Sequence, residues 1–272
     1  MGKPHWKRSI VSLSWIRFPR SRSHLRLYLG DTELQLARYE KGELQVIKKL
    51  ALEKTDVSYV IERLKYEFDT DDRMQGCAQI HCALGIAWCR YLLLPWDERL
   101  VDKALAEAMA RALFERRYGQ IAEEYCLRLS KPIYGRPQVA TFVPLALLNG
   151  LRHSCLGHGG SLGRIEPLLA VIWNRFLPLL LVKRSTLCIV ESMRMLEVDN
   201  DHGTPSSIKV KPFKDANDII GTTRQLSSID LFAPDIDIPC HPLLTRLELG
   251  DSEICAVPEG AAYSYVLCSG AP

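Results

Sequence analysis

No aspartate or glutamate precedes Asp31, although Lys3, Lys7, Arg8, Arg17, Arg20, Arg22 and Arg26 all do. A segment of one charge sign and little periodicity builds no core, so residues 1–24 read as a basic arm. Beyond the arm the charges balance, and 35 Lys+Arg against 32 Asp+Glu leave a net charge of only +3. That excludes a polyanion-binding surface spread over the whole molecule. Long apolar runs are also lacking. The patch Ile10 to Ile16 is interrupted by Ser12 and Ser14, which makes it too short and too polar for a secretory signal or a membrane span. The most apolar region, 165–182, carries Glu166, Asn174, Arg175 and two prolines, and reads as core. The nine cysteines include no C-x-x-C pair and no paired framework, which points to a reducing, cytoplasmic compartment.

What is present is ample core material, with 47% hydrophobic residues. Residues 25–29, 34–39 and 44–52 are apolar runs separated by Gly30-Asp31 and Lys41-Gly42, the pattern of an antiparallel meander. Thr55-Asp56 can cap a helix with Val57, Val60, Ile61, Leu64 and Phe68 on its apolar face. Two strands follow at about 78–84 and 87–94, hinged at Gly85. Pro95 ends the second, and Asp97 is placed to cap a long helix reaching Tyr118. Val101, Leu105, Ala108, Ala112 and Leu113 form the expected buried stripe of that helix. Acids at its start, Arg116 and Arg117 at its end, and Gly119 beyond them suit the helix dipole and a left-handed stop. Strands at 125–129 and 138–143, a helix at 145–155, a glycine-rich loop at 157–163, and a further strand and helix lead to Leu181. The opening order then returns. Strands at 186–190, 193–198 and 207–213 precede a helix running from Asp215 through Ile219, Ile220 and Leu226, with later strands near 236–238, 244–249 and 263–268. A β-β-β-α-β unit occurring twice predicts an internally duplicated α/β fold.

With that duplication, the Leu29-Gly30 hairpin, the Leu94-Pro95-Trp96 turn leading into 101–118 and the second hairpin at 187–196 complete a pattern. From Leu25 onward the chain resembles the PilM family of type IV pilus assembly and the cytoplasmic half of the type II secretion L-proteins. The resemblance implies an actin-like (RNase H-like) α/β fold of duplicated β-β-β-α-β-α lobes. Residues 25–182 would form the first lobe with a small inserted subdomain at about 97–143, and 183–272 a second, shortened lobe. In active members of this fold the first turn carries an Asp that helps hold a metal, and a Gly whose tight turn receives phosphate oxygens. Here Tyr28 stands in the Asp place, and Gly30 is kept but followed by Asp31 and Glu33. In the second turn Cys188 replaces the Asp and Val190 the Gly, with Glu191 next. Ser269-Gly270-Ala271 is similar to the glycine pair that meets adenosine, with no helix after it. Degraded positions at Tyr28, Gly30, Cys188, Val190 and Gly270 imply a pseudo-ATPase with no catalytic residue, no cofactor and no metal. The alternative is an active ATPase or sugar kinase with unusual phosphate-binding turns.

The resemblance also implies a partner, the cytoplasmic tail of an inner-membrane pilus or secretion subunit. Its groove would be walled by Arg90, Leu92, Leu94 and Trp96 on one side and Leu113, Phe114 and Tyr118 on the other. Aromatics beside arginine are the mixture enriched at binding hot spots. The competing reading makes Leu92, Leu94 and Leu113 simple core. A position at the inner face of the membrane would give the basic arm a role on anionic lipid, each basic side chain there contributing about 1 kcal/mol, and the competing reading of residues 1–24 is a disordered tail with no partner. Nucleic acid is not expected, because only Trp6, Trp15 and Phe18 interleave the arm and no recognition helix lies nearby.

Other patterns carry less. Gly159-Gly160-Ser161-Leu162-Gly163 fits the G-x-S-x-G hydrolase elbow, but a helix precedes it and a strand follows, the reverse of what the elbow needs. Cys77, His81, Cys82 and Cys89 lack the spacing of a zinc knuckle, and His153, Cys155 and His158 are no stronger as ligands.

Overall fold

The computed structural model describes residues 23–74, 77, 79–222, 228–234, 236, 241–249 and 260–268. The basic arm up to residue 22, Leu226 and the segment Ser269-Gly270-Ala271 lie outside the described residues.

The opening meander is β1 (His24–Leu29), β2 (Glu33–Glu40) and β3 (Glu43–Ala51). Helix α1 (Val57–Thr70) follows, with the Asp56 carboxylate accepting the Tyr59 N–H at 3.0 Å. Val60, Ile61, Leu64 and Phe68 are buried along one face, as their spacing requires. Strand β4 (Gln79–Leu84) pairs in parallel with β1, and β8 (Ser161–Pro167) pairs in parallel with β4. The first sheet therefore runs β3-β2-β1-β4-β8. Helix α3 (Leu145–Gly157) lies against α1 and β8, and α4 (Leu168–Leu180) contacts β4 and β8.

The second half repeats this order. Strands β9 (Arg184–Glu191), β10 (Arg194–Asp201) and β11 (Thr204–Pro212), helix α5 (Ala216–Thr222), then β12 (Ile229–Phe232) and β13 (Leu244–Arg246) form a sheet ordered β11-β10-β9-β12-β13. Both sheets have two antiparallel strands outside the first strand and two parallel strands inside it.

Inserted in the first half, between β4 and α3, is a three-stranded antiparallel sheet, β5-β7-β6, made of β5 (Arg90–Leu94), β6 (Tyr125–Leu129) and β7 (Gln138–Pro144) and covered by α2 (Lys103–Tyr118). It has its own core, centred on Phe114 stacked against Phe142 at 4.2 Å, with Leu92, Leu94 and Ala110 around them. β5 belongs to this small sheet, so β4 and β5 are separate rather than adjoining, divided by a short 3-10 turn at Ile86–Trp88.

The structure departs from the sequence expectations in five places. The expected helix from Asp97 is two pieces. Asp97 caps a 3-10 turn at Glu98–Val101, and Asp102 caps α2 by accepting the Ala104 and Leu105 N–H groups. The buried stripe of α2 is Ala106, Ala110 and Phe114, while Val101 and Leu105 are 57% and 46% exposed and Ala108 and Ala112 face solvent. The aromatic cluster around Phe114 fixes the rotation of the helix, and an aromatic ring buries more area than the Val and Leu left outside. The strand expected at 263–268 is helical, as a 3-10 turn at Gly260–Tyr263 and a short helix α6 (Ser264–Cys268) whose five residues are all buried. Complete burial removes the periodicity that distinguishes helix from strand. Finally, a strand not expected from the sequence, β12, follows α5 and holds the fully buried Asp230 opposite Lys183 at 2.8 Å, while most of the strand expected at 236–238 lies outside the described residues. The second meander also closes with a tight turn at His202-Gly203, so β10 and β11 reach further than expected.

Candidate functional site

The two repeated halves meet where the β1–β2 turn faces the β9–β10 turn. On the first side, Gly30 N–H donates to Glu33 O at 2.8 Å, Trp88 Nε1 donates to Gly30 O at 2.8 Å, and Gly85 N–H donates to Leu29 O at 2.8 Å. These bonds fix the hairpin turn and the end of β4 beside each other, with the backbone N–H groups of Asp31 and Ile86 converging on one point.

The carboxylate of Glu191 occupies that point. It leaves the end of β9, crosses to the other half, accepts Asp31 N–H at 3.0 Å with one oxygen and accepts Ile86 N–H with the other. Glu191 is only 3% exposed. Two glycines make its room. A Cβ on Gly85 would stand 2.1 Å from Glu191 Oε1, and one on Gly30 would stand 3.0 Å from it. Gly85 has φ −65° and ψ 176°, a conformation open to any residue, so space for the carboxylate is what requires glycine there.

Tyr28 and Tyr265 wall the same point. Their rings stack at 4.6 Å, Tyr28 is fully buried, and the Tyr265 hydroxyl donates to Val190 O. Helix α6 is held in place by Val266 N–H donating to Gln35 Oε1 at 3.1 Å. Around the rim, Arg194 Nε donates to Asp31 Oδ2 at 3.0 Å and Thr32 Oγ1 meets Ser192 Oγ at 3.4 Å. Burial pushes the Glu191 carboxyl up to about 7, against the opposing pull of Tyr28 and the N–H groups of Ile86 and Asp31. Burial, reinforced by Glu191, likewise raises the Tyr28 phenol well above its usual range. What remains of the cleft is a cavity of about 180 Å³ between residues 31–33, Glu191-Ser192 and Tyr265. Ligand pockets usually begin near ~300 Å³, and three carboxylates border this one.

The five-stranded order, occurring twice around a shared cleft, decides the architecture. The fold is actin-like. A Bacteroides thetaiotaomicron protein described as having an actin-like ATPase fold and unknown function superposes with a TM-score of 0.55 and 11% identity, covering 86% of this chain and 85% of that one. The cytoplasmic domain of EpsL, an inner-membrane component of the type II secretion system of Vibrio cholerae, superposes with a TM-score of 0.54 and 11% identity over 84% and 90%. A PilM–PilN type IV pilus biogenesis complex gives a TM-score of 0.47 and 16% identity over 76% and 67%. No protein-family model matches the sequence, and neither does any curated protein.

Against this actin-like frame, the residues singled out from the sequence divide. Tyr28 and Gly30 lie at the closed cleft, whereas Cys188 and Val190 are buried inside β9, in the core of the second half. Gly270 lies outside the described residues. Of the seven groove residues, Leu92, Leu94 and Phe114 are buried in the small subdomain and cannot wall an open groove. They fill the space between the small sheet and α2, the role given to core leucines in the competing reading. Leu113 and Tyr118 are half-buried, and the Tyr118 hydroxyl donates to Tyr91 O at 2.9 Å. Arg90 is half-buried and donates to Ala87 O at 2.9 Å. Trp96 is half-buried and meets Tyr134, itself 80% exposed, edge to face at 5.1 Å.

Ser161 opens an edge strand after a helix, with no strand-to-helix elbow. No group of three metal-ligating side chains occurs among the described residues. His158 Nε2 lies 2.8 Å from Asp69 Oδ1, a local surface pair. Among the described residues, no helix is long and apolar enough to cross a membrane.

In the sequence Glu191 stands out only as the residue after the second turn's Val190, and Gly85 only as a hinge. Their joint role was missed. The available signal was a glutamate placed in the second turn against two glycines that end β1 and β4.

Proposed function

We propose that the protein is an actin-like scaffold without nucleotide hydrolysis, part of a type II secretion or type IV pilus assembly platform at the cytoplasmic face of an inner membrane. The observation that carries the negative half is the Glu191 carboxylate on the Asp31 and Ile86 N–H groups, where the first turn of an active member would receive phosphate. Bringing a triphosphate there requires expelling a buried side chain and then placing polyanionic charge beside Asp31 and Glu33. Tyr28 offers no carboxylate to a metal. The similarity to the EpsL cytoplasmic domain and the family resemblance support the positive half.

The partner in this reading is the cytoplasmic tail of a membrane subunit, bound at the small subdomain. The side chains still accessible there are Arg90, Trp96, Leu113 and Tyr118, with Tyr134 beside Trp96. Large aromatics next to arginine suit a short peptide anchor.

Titration calorimetry with Mg-ATP tests the first half, with no binding heat and no hydrolysis expected. Micromolar affinity would overturn it. For the second half, tail peptides of the membrane subunits encoded beside the gene are immobilised and probed with wild type, Trp96→Ala and Arg90→Ala. Loss of capture at unchanged melting temperature is expected, and undiminished capture by both variants would remove the site.

A further inference from the structure

The donors that meet Glu191 come from two separate segments of the first half, the β1–β2 turn and the 3-10 turn after β4. Both are held by backbone bonds that do not involve Glu191, from Gly30 to Glu33, from Gly85 to Leu29 and from Trp88 to Gly85. The receptor geometry therefore belongs to the first half alone, and the anion is delivered by the other. Two N–H groups from separate segments converge on one carboxylate, with glycines at 30 and 85 clearing the approach, and backbone N–H groups are strong donors to such an anion. Each neighbouring acid has a cation beside it, Asp31 with Arg194 at 3.0 Å and Glu33 with Lys49 at 2.7 Å, although Asp31 still adds to the upward push on the Glu191 carboxyl.

We propose that the first half contains a small-carboxylate binding site whose resident ligand is the chain's own Glu191 side chain, so that occupancy of the site joins the two halves. A formate or acetate ion takes the vacated position when that side chain is shortened. The cavity of about 180 Å³ alongside gives such an ion its route in. The inference rests on the reading of the cleft as closed to nucleotide and adds what closes it.

The groups facing Glu191 are Tyr28 on β1, Asp31 and Glu33 at the first turn, Cys89 and Tyr91 at the start of β5, and Tyr265 on α6, with Arg194 reaching Asp31 from its own hairpin. None of the acids among them is replaced in the test. Burial raises the carboxyl of Glu191 from its ordinary 4.5 to about 7 in the folded protein. The folded state thus holds a proton that the unfolded state releases, and stability falls as pH rises between those values.

The experiment measures melting of wild type and Glu191→Ala in sodium acetate, formate or chloride at matched ionic strength. Glu191→Ala is expected to melt several degrees lower than wild type and to recover saturably with acetate and formate but not chloride, while wild type responds to none of them. Equal responses of the two proteins, or no response from the variant, overturn the proposal. Glu191→Gln keeps the side-chain volume but cannot ionise, and covers the case in which the alanine variant does not fold. Wild type should lose stability relative to Glu191→Gln between pH 4.5 and 7, and parallel melting curves across that window overturn the proposal equally. Binding of Mg-ATP to wild type would sink the underlying reading of the cleft. A failed acetate rescue without ATP binding sinks only the internal-ligand site.

Discussion

The β1–β2 turn and the β9–β10 turn hold the same place in two sheets of the same strand order, yet one donates and the other accepts. The first ends in Gly30 and presents backbone N–H groups. The second ends in Glu191 and presents a carboxylate. In an actin-like fold with a working cleft, both turns contact a phosphate chain between them. Here the second turn supplies the anion itself, and the two halves touch where a ligand would separate them. The difference teaches that two facing turns of this fold can meet without leaving a hole between them. A donor cluster that is costly to leave unpaired in a buried place has been satisfied from within.

The sharpest way to break this comparison is Gly85→Ala. The backbone accepts alanine, so any loss comes from the collision of its Cβ with Glu191 Oε1. Overpacking together with two unpaired buried N–H groups should cost about 4 kcal/mol, read from urea unfolding. Gly85→Ala combined with Glu191→Ala should be well short of additive, because both changes remove one contact. An additive pair would show that Gly85 matters for another reason.

A second test moves away from the turns, to a buried charge that the second half pairs with a cation of its own. Asp230 on β12 is fully buried, and Lys183 reaches it at 2.8 Å. Lys183→Met strands that carboxylate and should cost about 3 kcal/mol, while leaving the pH difference between wild type and Glu191→Gln unchanged. Urea melts of both backgrounds check this. A change in that difference would mean the cleft and the β12 pair are coupled.

How far the sequence could be read follows from the same contrast. The two meanders were legible because apolar runs alternate with turn pairs such as Lys41-Gly42, and Lys41 and Gly42 do take positive φ values. The face of α1 was legible because Val60, Ile61, Leu64 and Phe68 have no rivals. On α2 the apolar residues outnumber the buried places. Choosing between Val101-Leu105 and Ala106-Ala110-Phe114 needs the position of Phe142, 28 residues beyond Phe114 in the chain. β12 was hidden by Asp230, a charge that reads as surface until Lys183 is found opposite it. Tyr28, Cys188 and Val190 could be compared with the family pattern position by position. That Glu191 lies on the N–H of Asp31, 160 residues away, could not be read, since a sequence shows the sign of a charge but not which donors converge on it.

A third prediction separates the closure from the helix that backs it. Tyr265→Phe keeps the stack on Tyr28 but removes the hydroxyl that donates to Val190 O. A loss of about 1 kcal/mol is expected from that buried carbonyl, with acetate rescue of Glu191→Ala retained in the double variant. If rescue disappears, Tyr265 belongs to the anion site and not to its support.

The smallest expected effect sharpens the comparison along the seam itself. Arg194 and Asp31 also join the two hairpins, at 3.0 Å, but Arg194 is nearly half exposed. Such a pair holds a long side chain in one geometry for a Coulomb gain that water and salt weaken. Arg194→Ala should therefore cost less than about 1 kcal/mol, and the loss should shrink further as sodium chloride is raised. Glu191→Ala should be insensitive to chloride, because its partners are backbone N–H groups shielded from solvent. Both substitutions break a contact between the same two turns, one at the exposed rim and one buried, with Glu191→Ala also freeing the Ile86 N–H, so the pair sets rim charge against the buried carboxylate. If Arg194→Ala proves as damaging as Glu191→Ala, the halves are held together by charge at the rim, and the buried carboxylate is not the joint.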